Sequence, residues 1–139
     1  MVPKVARVFL AGRLFDDPVS GHTVHIHLAK TIPSGDEADW ELEDLEECDF
    51  DGYAEIESPV FEEAILDENN RGKIVSPELV WTADEIVDPQ TIRAVYTTFK
   101  MSNVHHLVDV QKLAQTVTLA NTGEQFKRKL TFYTNNFAV

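Results

Sequence analysis

Period-two alternation constrains this chain more than any other feature. In Thr23-Val-His-Ile-His-Leu-Ala-Lys30, Val24, Ile26 and Leu28 alternate with Thr23, His25, His27 and Ala29. Successive strand side chains point to opposite faces, so such a run forms a strand with one apolar face. Comparable stretches lie at 5–15, 22–30, 53–58, 60–66, 72–76, 78–82, 91–100, 104–110, 116–120 and 126–134. Turn chemistry separates most of them: Ser58-Pro59, Asn69-Asn70-Arg71-Gly72, Asp88-Pro89 and Asn121-Thr122-Gly123. Short strands at a spacing of roughly 8–12 residues predict an all-β fold, an antiparallel β-sandwich of jelly-roll type.

One segment departs from this rule. Between Asp39 and Cys48, Leu42 and Leu45 stand three apart among glutamates, with Ser34 or Asp36 before them as caps. Acidic first-turn residues suit a helix dipole, so one short amphipathic α-helix is expected over the end of the sheets. The chain of 139 residues has the size of one domain and shows no repeat or linker, which predicts a single domain over 1–139. At 43 % hydrophobic residues it is too apolar for a disordered chain. No run reaches the ~18 apolar residues of a membrane helix, so no membrane association is expected. The opening run is interrupted by Arg13 and lacks a small-residue cleavage site, so it is not read as a signal peptide.

The net charge of −12 is concentrated in the middle of the chain. Residues 36–92 carry twenty acidic and two basic groups, while both ends are mildly basic. This excludes nucleic-acid backbone binding, which needs clustered Lys and Arg, and leaves a solvated surface or a dock for a basic partner. The acidic run, the Trp40 and Leu42 side chains, and Leu45 and Phe50 beside them combine an apolar anchor with a charged rim. Glu43, Glu46 and Glu47 supply that rim, so Trp40, Leu42, Glu43, Leu45, Glu46, Glu47 and Phe50 form the expected protein-binding interface.

Candidate chemistry is sparse. His25 and His27 would share one strand face about 7 Å apart, a spacing found in zinc sites when other elements complete the shell. Candidates to do so are His22, His105 and His106, yet no Cys-x-x-Cys, His-Glu-x-x-His or facial-triad spacing accompanies them. The alternation alone accounts for polar residues between Val24, Ile26 and Leu28. The preferred reading is therefore an exposed strand face, with no metal and no cofactor. Asp67-x-Asn69-x-Arg71-Gly72, with Glu78 beyond, resembles a calcium loop, but Arg71 puts a cation where a ligand oxygen belongs. A hairpin tip, with Asn70 and Gly72 in left-handed conformations, is expected instead. Ten carboxylates between Asp36 and Asp51 could hold a hydrolytic pair, but no nucleophile elbow or phosphate loop supports catalysis, so no enzyme is expected. Trp40 and Trp81 could stack on a sugar, although a tryptophan in an alternating strand more often fills a core or an interface. The lone Cys48 is read as a small buried hydrophobe.

The most distinctive stretch is Leu42-x-x-Leu45-x-Glu47-x-Asp49-Phe50-x-Gly52-Tyr53-Ala54, followed by Phe61, Leu66, Asp67, Asn69, Arg71 and Gly72. It resembles a group of small structural proteins of tailed bacteriophages. In those proteins an L-x-E-A-D-F-x-G-Y-A segment leads into a hairpin with a D-x-N-G-R tip. Residues 79–82, 91–99 and 117–132 resemble later strands of the same pattern. The chain departs from it at Cys48, where the family has Ala, and at Asn70, where it has Gly. The resemblance implies a virion structural protein without catalytic residues. Its first form is a capsid decoration (cement) protein on the outer shell, bound to the major capsid protein or other virion proteins as a trimer or dimer. The alternative is a tail- or neck-associated module, or one that binds a receptor or glycan.

Overall fold

A computed structural model describes residues 23–85 and 88–133. The strand expected at 5–15, the turn after it and His22 lie outside these residues. Among the described residues there are ten strands: β1 (Thr23–Thr31), β2 (Glu46–Glu47), β3 (Ile56–Glu57), β4 (Ile65–Leu66), β5 (Gly72–Val75), β6 (Leu79–Thr82), β7 (Gln90–Met101), β8 (Val104–Leu119), β9 (Gln125–Arg128) and β10 (Thr131–Tyr133). All pairings are antiparallel, as the alternation predicts.

The strands form three sheets. The largest runs β2-β1-β7-β8, with β3 also paired to the β2 side of β1. The others are β10-β5-β4 and β6-β9. One core cluster joins them. Val24, Ile26 and Leu28 of β1 and Val95 and Phe99 of β7 pack with Ile74 of β5, Trp81 of β6, Phe126 of β9 and Phe132 of β10. The large sheet thus covers the two small ones in a sandwich-like arrangement. Cys48 belongs to this core, and burial pushes its thiol up to about 12. Trp81 is also there, its indole N–H donating to Ala54 O at 3.1 Å.

Four expectations are corrected here. The run 126–134 is two strands and not one, since β9 pairs with β6 and β10 with β5 in a different sheet. The segments 104–110 and 116–120 are one strand, β8, which forms a long hairpin with β7. It turns at Ser102 and Asn103, whose φ values of 50° and 63° are those of a tight two-residue hairpin turn. No α-helix forms near 39–48; short 3-10 turns occupy Glu37–Asp39 and Leu42–Asp44. A helix there would stack Asp39 on Glu43 and Glu43 on Glu47, like charges four apart with no cation among them. Pairing of Glu46 and Glu47 with β1 offers this stretch a better use of its backbone. At the 67–72 tip, Asn70 is left-handed (φ 58°), but Gly72 is a strand residue at the start of β5. The hairpin reading holds there. Asp67 Oδ1 accepts from the backbone of Asn69 and Arg71, and Oδ2 accepts from Arg71 Nε at 2.8 Å, so this carboxylate serves its own loop.

Candidate functional site

The interface residues named from sequence separate in space. Trp40 (7 % exposed) and Phe50 are buried, Leu42 and Leu45 are half-buried, and Glu43 and Glu46 are exposed. The apolar anchor faces inward because Leu42 and Leu45 cover a small second cluster with Ala29, Ala94, Tyr96, Leu107 and Val110. What remains outside is the acidic rim.

That second cluster lies on the face of the large sheet that was expected to be wet. His25 is 1 % exposed and His27 is 5 % exposed, so β1 is buried on both faces. The exposed-face reading is therefore corrected, and the cause is the segment leading through β2 and β3. Glu47 pairs with Ala29, and Ile56 and Glu57 pair with Ile26 and His25. Directly opposed residues share a face, so Glu47 falls on the histidine side, and so does Glu55, two positions before Glu57. Between them the chain loops outward around Asp51 and Gly52, where Asp84 N donates to Asp51 O at 2.8 Å. The loop returns Tyr53 to the edge of β1, where its hydroxyl accepts from Leu28 N at 3.1 Å and donates to Glu47 Oε2.

The histidines meet these carboxylates directly. His27 Nδ1 lies 2.8 Å from Glu47 Oε2 and 3.2 Å from Glu55 Oε2, and His25 Nδ1 lies 3.3 Å from Glu55 Oε1. His105 of β8 joins them across the sheet, its ring 4.9 Å from that of His25 and 5.6 Å from that of His27. Hydroxyl contacts hold three of the four remaining nitrogens. Thr23 Oγ1 bonds His25 Nε2 at 2.8 Å, and Thr98 Oγ1 bonds both His27 Nε2 (2.8 Å) and His105 Nδ1 (2.9 Å). Tyr96 stacks on His27 with centroids 4.6 Å apart.

The electrostatics follow from this packing. Burial resists ionisation of Glu47, but the bonds from His27 and Tyr53 outweigh it and leave the carboxyl below its ordinary value. Burial lowers His105, with opposing help from Glu55, and it raises Tyr53 and Tyr96. Two triads bring potential ligand atoms within 4.8 Å of one another: His25, Glu55 and His105, and His27, Glu47 and Glu55. Glu55 is common to both.

Of these residues, sequence reasoning singled out His25, His27 and His105 as possible partners and Glu47 only as a rim charge. It missed Glu55, Tyr53 and Thr98. The available signal was the alternation Tyr53-Ala-Glu55-Ile-Glu57, which sets Glu55 and Glu57 on one face of a strand. Trp40 and Trp81 are both buried and offer no surface to a sugar. No known protein family, curated protein or solved structure matches the chain.

Proposed function

We propose that the chain is a non-catalytic structural protein of a tailed-phage virion, a capsid decoration (cement) protein that binds the outer shell and ties capsomers together. Its partners are the major capsid protein and further copies of itself, in a trimer or dimer. The observation that carries this reading is the exposure of two large apolar side chains on one edge strand, Ile65 (51 % exposed) and Leu66, with Val60 (82 % exposed) a few residues before them. Ile65 and Leu66 form β4, which ends its sheet beyond β5 among the described residues. An edge strand with apolar side chains turned outward is an invitation to another chain. This strand lies within the stretch 42–72 that resembles the phage proteins. The acidic rim of Glu43 and Glu46 adds a field that would steer a basic partner.

A protein that binds only the assembled lattice stabilises it by mass action. Particles depleted of the protein supply the test. The double variant Ile65→Lys, Leu66→Lys, altered only at exposed positions, is expected to fold normally and fail to rebind. Glu43→Gln with Glu46→Gln should slow binding, mostly at low salt, because rim charges act on encounter and are screened over ~8 Å at physiological salt. Parent-like binding by both variants at every salt concentration refutes this surface. A density map of the virion then decides location: repetition over the shell supports cementing, whereas confinement to the tail or neck selects the alternative reading.

A further inference from the structure

We propose that His25, Glu55 and His105 bind one divalent transition-metal ion of the zinc class, and this holds or fails independently of any role in a virion. The first ground is an unsatisfied group. His25 Nδ1 is buried and makes no hydrogen bond, yet it faces Glu55 Oε1 at 3.3 Å. Two donors bound to zinc at about 2.0–2.1 Å and separated by the tetrahedral angle stand about 3.3 Å apart. The pair thus has the spacing of two ligands on one ion.

The second ground is the proton order of the surrounding bonds. His27 Nδ1 sits within reach of two carboxylate oxygens, so it carries the hydrogen and Nε2 is an acceptor. Thr98 then donates its only hydroxyl hydrogen to His27 Nε2, and His105 Nδ1–H donates to Thr98 Oγ1. His105 Nε2 is left with a free lone pair. For His25 the Thr23 contact allows either tautomer, but Nδ1 makes no aligned hydrogen bond to Glu55 Oε1 although the two stand 3.3 Å apart. With Nε2–H donating to Thr23 Oγ1, the Nδ1 lone pair is open to an ion, and every other bond of the cluster is kept. A cation between that lone pair and the Glu55 carboxylate would satisfy both.

The third ground is support around the ligands. Metal-binding histidines are oriented by bonds to their second nitrogen, and the hydroxyls of Thr23 and Thr98 supply these. His27 takes the matching part for the carboxylate, since its contact with Glu55 Oε2 leaves Oε1 for the ion. It is a positioning residue, already satisfied by Glu47. The donor set of two imidazoles and a carboxylate favours zinc and its neighbours over calcium and magnesium, which prefer all-oxygen shells. The fourth position falls to solvent, because His105 is only half-buried.

The test uses the full chain, stripped with a chelator and titrated with Zn2+ alone. One ion per chain is expected, with a rise in Tm on saturation and no competition from Mg2+ or Ca2+ in excess. His105→Gln and Glu55→Gln should each weaken binding at least tenfold while circular dichroism confirms the fold. His106→Gln, altered at the exposed neighbour, should bind like the parent. Should either ligand variant unfold, Co2+ bound to the parent gives a second reading, with visible bands of tetrahedral intensity expected. Absence of saturable Zn2+ binding to the parent, or parent-like affinity in both ligand variants, overturns the proposal. An affinity loss in His106→Gln equal to theirs does so as well. The 3.3 Å contact is then an ordinary histidine–carboxylate ion pair.

Discussion

Gly52 sits at the apex of the loop that returns Tyr53 and Glu55 to the histidine face, with φ +92°. A Cβ at this position would lie 2.7 Å from Thr82 O, 2.8 Å from Asp84 Cγ and 2.9 Å from Asp84 N. Two of these neighbours are backbone atoms, and Asp84 N is already committed to Asp51 O. Rotation of a side chain cannot relieve the clash. For Gly52→Ala the left-handed backbone costs about 1–2 kcal/mol, and overpacking against fixed atoms adds about 1–3 kcal/mol. The stiffer unfolded chain returns about 0.4–1 kcal/mol. The expected net loss is about 2–4 kcal/mol. Gly123→Ala is the control, since that residue also has positive φ (+84°) but nothing within 4 Å of the added carbon. It should lose only about 0.5–1.5 kcal/mol, from the backbone alone. Urea denaturation of the two variants measures the difference, expected near 2 kcal/mol, or roughly 6–10 °C in Tm for a chain of this size. If the two variants agree within about 0.5 kcal/mol, the loop does not approach β6 as closely as described, and the placement of Glu55 loses its support.

Phe132 is fully buried and meets Phe61 edge-to-face at 6.0 Å, so Phe132→Ala should cost about 3–5 kcal/mol in urea denaturation. Burial pushes the Asp109 carboxyl up, against the bond from Gln111 and with help from Glu37. A raised folded pKa means that this group's contribution is fully present below the ordinary carboxylate value of about 3.9 and is lost as pH rises through the raised value. Asp109→Asn should therefore raise the unfolding midpoint at pH 7, and the gain should shrink toward zero as pH falls below about 4. A gain that persists at acid pH would show that charge burial is not its source.

Local chemistry made much of the fold legible. Alternation located β1, β5, β6 and β7 almost to the residue, and Asn69-Asn70 and Asn121-Thr122-Gly123 marked turns that form as expected. These features depend on neighbours one to four positions apart, so the chain states them directly. The Leu42–Leu45 helix failed for a reason also present in the sequence, the uncompensated like charges of residues 39–47. The break expected between 110 and 116 failed for a different reason: the pairing of β8 with β7 carries the strand through it, and register shifts between Ile92 and Ala94 and between Thr97 and Thr98 absorb the irregularity.

The histidine cluster marks the boundary between the two kinds of information. Period two placed His25 and His27 together on the face opposite Val24, Ile26 and Leu28, and that placement is right. Whether the face meets water depends on what covers it, and period two is silent there. Pairing of β2 and β3 with the free edge of β1, 15 to 32 residues further along the chain, brings Glu47 and Glu55 over the imidazoles. Pairing of β8 with β7 brings His105 from the other side. A one-residue slip in either register would turn those side chains to the opposite face. Composition and alternation alone determined that the chain builds antiparallel sheets with an acidic surface. Only the long-range register decided that three histidines and two glutamates share one site, because register is set by the packing of the whole core and not by any local run of residues.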